Sequence, residues 1–233
     1  DKANEWDDGN DAMDATLHKE VALPKTIDEN LADVDERLRD GDVPYFFHTP
    51  RTMGQTVKDI LGNCVGLNST NLTATIEGIY RAKKMDILKS GNIDVIVTQY
   101  LHSGAILFDE NHRGRMFTFV RHPIERAVSL FHYLATATHE PTYDPDLAHI
   151  SIEMWSRSKR VEHNWMTRFL SNELEGDLSL KHLDISKEVL RKKCIVGLFD
   201  EKSESWLRLE RFFGWKFRTQ KNRECLDRLL NWG

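Results

Sequence analysis

Four short apolar runs, at 43–47, 94–98, 116–120 and 194–199, constrain this chain more than any other feature. They are rich in Val, Ile and Phe and end at turn-forming or polar residues. Runs of that length read as strands, and near-continuous apolar character marks strands buried on both faces. Helical spacing fills the gaps between them, at 56–61, at about 76–90 and at 124–135, where Pro123 sits in the first turn. It returns through Trp155, Trp165 and Phe169, and again through Trp206, Leu209, Phe212 and Phe213. Strands alternating with helices predict an α/β fold with a central parallel sheet covered by helices on both faces.

Charge divides the chain into two parts. Residues 1–42 hold 14 Asp and Glu against 5 Lys and Arg, a net of −9. Residues 43–233 hold 23 against 27, a net of +4, within a whole-chain charge of −5. The whole-chain balance argues against a general nucleic-acid binder. We therefore expect an acidic N-terminal arm, 1–42, and one domain, 43–233. Residues 1–25 are polar and aperiodic. Thr26-Ile27-Asp28-Glu29 has the pattern of a capping box and predicts a short helix to about Arg39, stopped by Gly41.

Cys64, Cys194 and Cys225 lack the spacing of a zinc site, so one disulfide with a free thiol, or three thiols, both fit. The adjacent triplets Asn68-Ser69-Thr70 and Asn71-Leu72-Thr73 are glycosylation sequons and favour a lumenal or secreted protein. No apolar run reaches the roughly 18 residues of a membrane span. The chain starts at Asp1 without Met or signal peptide, as a mature or trimmed piece would.

Two strand-loop-helix units could carry chemistry. The first reads Pro44-Tyr-Phe-Phe-His48-Thr49-Pro50-Arg51-Thr52-Met53-Gly54-Gln55-Thr56. A loop leading from a strand into a helix collects free N–H groups that favour an anion, and Arg51, Thr52 and Thr56 add charge and hydroxyls. It lacks the GxxxxGK[ST] spacing of a nucleoside-triphosphatase. The second reads Arg121-His-Pro123-Ile-Glu-Arg126-Ala-Val-Ser129. It puts a guanidinium at a strand's carboxyl end and a hydroxyl on the next helix, a pairing suited to phosphate. Arg157-Ser-Lys159-Arg160 reads as a solvated helix face able to meet an anionic glycan.

Together the two units resemble the paired signatures of sulfotransferases that use 3′-phosphoadenosine 5′-phosphosulfate. The resemblance is strongest to the Golgi carbohydrate branch, including heparan sulfate 2-O-sulfotransferases. That family's first loop runs F-H-x-P-K-T-G/A-x-T-S, and its second motif, R-x-P-x-x-R-x-x-S, stands intact here at Arg121, Pro123, Arg126 and Ser129. Asn164-Trp-Met-Thr167-Arg168-Phe-Leu-Ser171 is similar to the family's N-x-Q-T-R-F-L-S/C stretch, and Val196-Gly197-Leu198-Phe-Asp-Glu201 to its V-G-L-x-E-x-F. The likeness runs from about 43 to 215. Departures fall in the first loop, where Arg51 replaces Lys, Met53 replaces Gly or Ala, and Gln55 replaces Thr. If the loop needs a left-handed residue, Gly54 is the expected supplier.

The resemblance implies a P-loop, nucleotide-kinase-like sulfotransferase fold. It implies that Arg51, Thr52, Met53, Gly54, Gln55 and Thr56 hold the 5′-phosphosulfate, with Arg51 also stabilising charge on the leaving phosphate. Arg121 and Ser129 would hold the 3′-phosphate, and 3′,5′-ADP would be the product. His102, in Tyr100-Leu-His102-Ser-Gly after the second strand, is similar in context to the family's Y-H-G-H histidines and is the expected base. His48 is expected to hold the loop backbone through a ring nitrogen, and no metal is expected. The implied acceptor is a carbohydrate hydroxyl, with an anionic polysaccharide among the candidates. The implied place is the Golgi lumen, on a membrane anchor outside this chain, or the secreted space. The alternative is a non-catalytic glycan- or nucleotide-binding relative.

Overall fold

The run 43–47 forms one of the two inner strands of the sheet. The computed structural model describes residues 21–140 and 142–231. In chain order its elements are α1 (Lys25–Asn30), β1 (Val43–Phe47), α2 (Gly54–Asp59), α3 (Ile76–Lys84), β2 (Ile96–Thr98), α4 (Leu101–Ala105) and β3 (Gly114–Val120). Then come α5 (Pro123–Thr136), α6 (Ile152–Ser156), α7 (Trp165–Ser171), α8 (Leu180–Lys193), β4 (Cys194–Leu198), α9 (Lys202–Phe213) and α10 (Gln220–Asn231). The four strands pair in the order β2-β1-β3-β4, all parallel. The protein is thus α/β, with an all-parallel central sheet flanked by helices.

Alternation along the strands builds two cores. Tyr45, Phe47, Ile96 and Met116 face one side, where they meet Ile27, Leu31, Ile79, Leu101, Leu170 and Val189 from helices and loops. Phe46, Val97, Phe117 and Phe119 face the other, against Val57, Trp206, Leu209, Leu226 and Leu230. In a smaller cluster Phe131 of α5 packs with Leu147 and Trp155. A disulfide joins Cys64, in a π-helical turn after α2, to Cys225 on α10, while Cys194 is a buried free thiol. Among the described residues no helix is long and apolar enough to cross a membrane.

The N-terminal segment corrects one expectation. α1 starts at Lys25 behind Pro24, its N-cap makes no side-chain bond, and it ends at Asn30, far short of Arg39. Leu31 turns extended and bridges to Gly114 at the start of β3. The described part of the acidic arm, 21–42, then wraps two buried cations. Arg115 donates to the carboxylate of Asp42 at 2.7 Å and to the carbonyls of Asp33, Glu36 and Arg37. Both side chains are sealed, at 1% and 0% exposure. Lys193 donates to the carbonyls of Asp28 and Leu31 and pairs with Asp33. The hydrogen bonds of Arg115 and Lys193 to these carbonyls and the apolar contacts of Ile27 and Leu31 outweigh the local helix signal of 31–39. Residues 1–20 of the arm lie outside the described residues. The predicted helix at 76–90 ends at Lys84. Arg157, Lys159 and Arg160 lie in a turn past α6, not on a helix, and Arg160 pairs with Asp144 and Asp146.

Removing one partner of a sealed ion pair leaves the other charge stranded, at roughly 3–5 kcal/mol. Asp42→Ala is therefore expected to destabilise the fold by about 3 kcal/mol in urea unfolding. A loss under about 1 kcal/mol would mean that the arm is not held by this pair.

Candidate functional site at the carboxyl edge of the sheet

Parallel pairing sends the loops after all strands to one edge. The chain leaving β1 goes to β2 on one side, and the chain leaving β3 goes to β4 on the other. The crevice between the ends of β1 and β3 is therefore the place where strand order reverses, the usual ligand position in open α/β sheets. Arg51 comes from the loop after β1, and Arg121 and Ser129 come from the loop and helix after β3.

Across that crevice Arg51 Nε donates to Ser129 Oγ at 3.0 Å. The guanidinium also lies over the ring of Tyr133, 4.3 Å from its centroid. Burial lowers the Arg51 pKa; Tyr133 opposes the shift, and the nearby charge of Arg121 adds to it. Two cations thus share one crevice. Arg121 stacks on Phe199, just past β4, at 4.3 Å and donates to Glu125. Arg126 straps the first loop to α5: its Nε donates to the Pro50 carbonyl at 3.0 Å, and its Nη2 meets Glu162 at 2.6 Å.

The rest of the first loop is turned elsewhere. Thr52 is fully buried and donates to the Thr49 carbonyl, above a hydroxyl contact between Thr49 and Thr118. Gln55 is exposed and donates to Asp59, and Thr56 is half-buried in α2. Met53 packs against the core with φ 55°, and Arg51 has φ 65°. Left-handed backbone is thus supplied by Arg51 and Met53, whereas Gly54 is not left-handed. That corrects the role expected of Gly54 and gives the glycine another one. A Cβ there would lie 1.8 Å from His48 Nε2. The imidazole rests directly on the first residue of α2, and burial, with the charge of Lys58, lowers its pKa to about 4. Among the described residues its ring makes no hydrogen bond to the loop, so His48 acts by packing where a backbone bond was expected.

His102 sits on α4 after β2, at the same edge. Its Nε2 lies 3.0 Å from the Leu170 carbonyl on α7. A carbonyl only accepts, so Nε2 carries the proton and Nδ1 is left with its lone pair. Burial lowers the His102 pKa, while the Leu170 bond raises it. Its polar contact runs to α7 rather than to Arg51, Arg121 or Ser129. An aromatic ladder ties these parts together: Phe47 stacks on Trp165 at 5.8 Å, Trp165 on Phe169 at 4.1 Å, and Phe169 meets Tyr100 at 6.2 Å. The motif spacing did not point to Tyr133 or Phe199. Tyr133 follows Ser129 by one helical turn, which is the only sequence signal it leaves.

Among the described residues no three His, Cys, Asp or Glu side chains gather as a metal-holding group. Compared with known proteins, the chain matches no family model and no curated protein. Chemically, the crevice offers two guanidinium groups and a hydroxyl to an anion.

Gly54→Ala is expected to drive the His48 ring off α2 and to cost about 1–3 kcal/mol. In a His48→Ala background the same substitution should cost less than about 1 kcal/mol. Equal costs in the two backgrounds, read from denaturant unfolding, would show that the contact does not constrain Gly54.

Proposed function

We propose that this chain is a sulfotransferase that moves a sulfuryl group from 3′-phosphoadenosine 5′-phosphosulfate to a hydroxyl, most simply of a carbohydrate. The observation that carries the proposal is the Arg51–Ser129 bond across the switch point, with Arg121 beside it. Both sulfotransferase-like motifs thereby meet in one cationic crevice, which suits a donor with phosphates at both ends of its ribose. The parallel sheet and the loop-to-helix turn after β1 fit the nucleotide-kinase-like sulfotransferase fold.

In the proposed reaction the acceptor oxygen bonds to sulfur as the bond from sulfur to the 5′-phosphate oxygen breaks. The acceptor proton passes to a base, and 3′,5′-ADP leaves. His102 is the proposed base, because its Nε2–H donates to the Leu170 carbonyl and its Nδ1 keeps a lone pair to take a proton, while burial lowers its pKa. Arg51, Arg121 and Ser129 hold the donor, with the backbone of residues 52–56 beside it.

A non-catalytic relative that binds the nucleotide or a glycan is favoured by one observation. Thr52 and Gln55, two of the expected donor contacts, are engaged inside the chain or with Asp59. Calorimetry with 3′,5′-ADP and sulfuryl-transfer assays on a glycan panel separate the two. For the enzyme, 3′,5′-ADP binds, sulfate appears on a glycan, Arg121→Ala loses both, and His102→Asn keeps binding but loses turnover at least about 100-fold. Binding without turnover on any acceptor would favour the relative. No binding by the unaltered chain would sink both nucleotide-based alternatives.

We place the protein in the Golgi lumen or the secreted space, on an anchor outside this chain if membrane-bound. Support comes from the Cys64–Cys225 disulfide and from exposed Asn68 and Asn71 in the two sequons. Expressed in a secretory cell, the chain should lose mass on enzymatic removal of N-linked glycans, and Asn68→Gln with Asn71→Gln should abolish that loss. An unchanged mass would remove this support.

A further inference from the structure

Resting on the donor site above, we propose that Arg51 reads the 3′-phosphate of the donor, together with Ser129 and Arg121, and not the oxygen that bridges phosphate and sulfur. The loop position alone would send this side chain toward the sulfuryl end. Three contacts send it elsewhere. Arg51 Nε is bonded to Ser129, the hydroxyl of the second motif, at 3.0 Å. Its guanidinium lies on Tyr133, one turn further along the same face of α5. The preceding residue is drawn to the same helix, because Arg126 of α5 holds the Pro50 carbonyl.

The left-handed backbone of Arg51 belongs to this arrangement, since φ 65° is rare for a residue with a Cβ and persists where the surroundings enforce it. Among the described residues Nε makes the one hydrogen bond of this side chain, so both terminal nitrogens keep their protons for an anion. Arginine has five N–H donors in a fixed fork, so it can hold Ser129 through Nε and grip a phosphate with the other two nitrogens. A lysine carries its donors on one atom and lacks the fork that can hold Ser129 and grip a phosphate on separate nitrogens. The exchange of Lys for Arg therefore moves charge from the leaving group to the specificity end of the donor. The 5′-phosphate is left to backbone N–H groups of the loop after β1.

Calorimetry with 3′,5′-ADP and 5′-AMP, which differ only in the 3′-phosphate, tests the assignment. The unaltered chain should bind 3′,5′-ADP more tightly. Arg51→Ala should weaken 3′,5′-ADP about 10- to 100-fold, the scale of a charged hydrogen bond, and leave 5′-AMP within about two-fold. Ser129→Ala should shift the same ratio in the same direction. Arg51→Gln, with thermal melting of each variant, covers the case in which the alanine variant folds poorly. Equal weakening of both nucleotides would assign Arg51 to the 5′ end and overturn the proposal, as would no weakening of either. If the unaltered chain binds neither nucleotide, the donor site itself falls, a result distinct from a mistaken role for Arg51.

Discussion

Parallel pairing of β1 between β2 and β3 is the constraint on which the rest depends. A strand with neighbours on both sides and helices on both faces must be apolar throughout, and Tyr45, Phe46 and Phe47 are fully buried. Parallel neighbours require crossovers, and the crossovers from β1 and β3 leave in opposite directions. The loops that follow these two strands thus flank one crevice. Arg51, Arg121 and Ser129 lie there because the sheet order leaves that gap.

The two edges of the sheet handle charge in opposite ways. At the amino edge, Arg113, Arg115 and Lys193 are neutralised by Glu36, Asp42 and Asp33. At the carboxyl edge, among the described residues, Arg51 pairs with a hydroxyl and an aromatic face, and Arg121 with the half-exposed Glu125. A net charge of −5 therefore says little about the site. Part of the acidic arm is counter-charge for the far edge, while Arg51 and Arg121 stand at the crevice.

Much of the fold was legible because its signals are local. The four apolar runs match the four strands to within two residues at each end, and Pro123 opens α5 as its fixed φ predicts. The pattern failed where distant groups compete with local preference. Residues 31–39 hold a helical spacing, but buried Arg115 takes their carbonyls as acceptors and a helix would consume them. Gly54 was read for its backbone freedom, whereas its missing side chain makes room for His48. Thr52 was read as a ligand for phosphate, yet its hydroxyl donates to the Thr49 carbonyl within the loop.

The sequence by itself determined the α/β class, the position of each strand, and the two motifs whose residue types suit an anion. These follow from periodicity, from proline and from short spacings, all of which act over a few residues. Only the tertiary structure decided where the side chains go. It turned Arg51 onto Ser129 and Tyr133, 78 and 82 positions away in sequence, packed His48 on Gly54, and bound His102 to Leu170. Those contacts depend on strand order and helix packing, which no local spacing encodes.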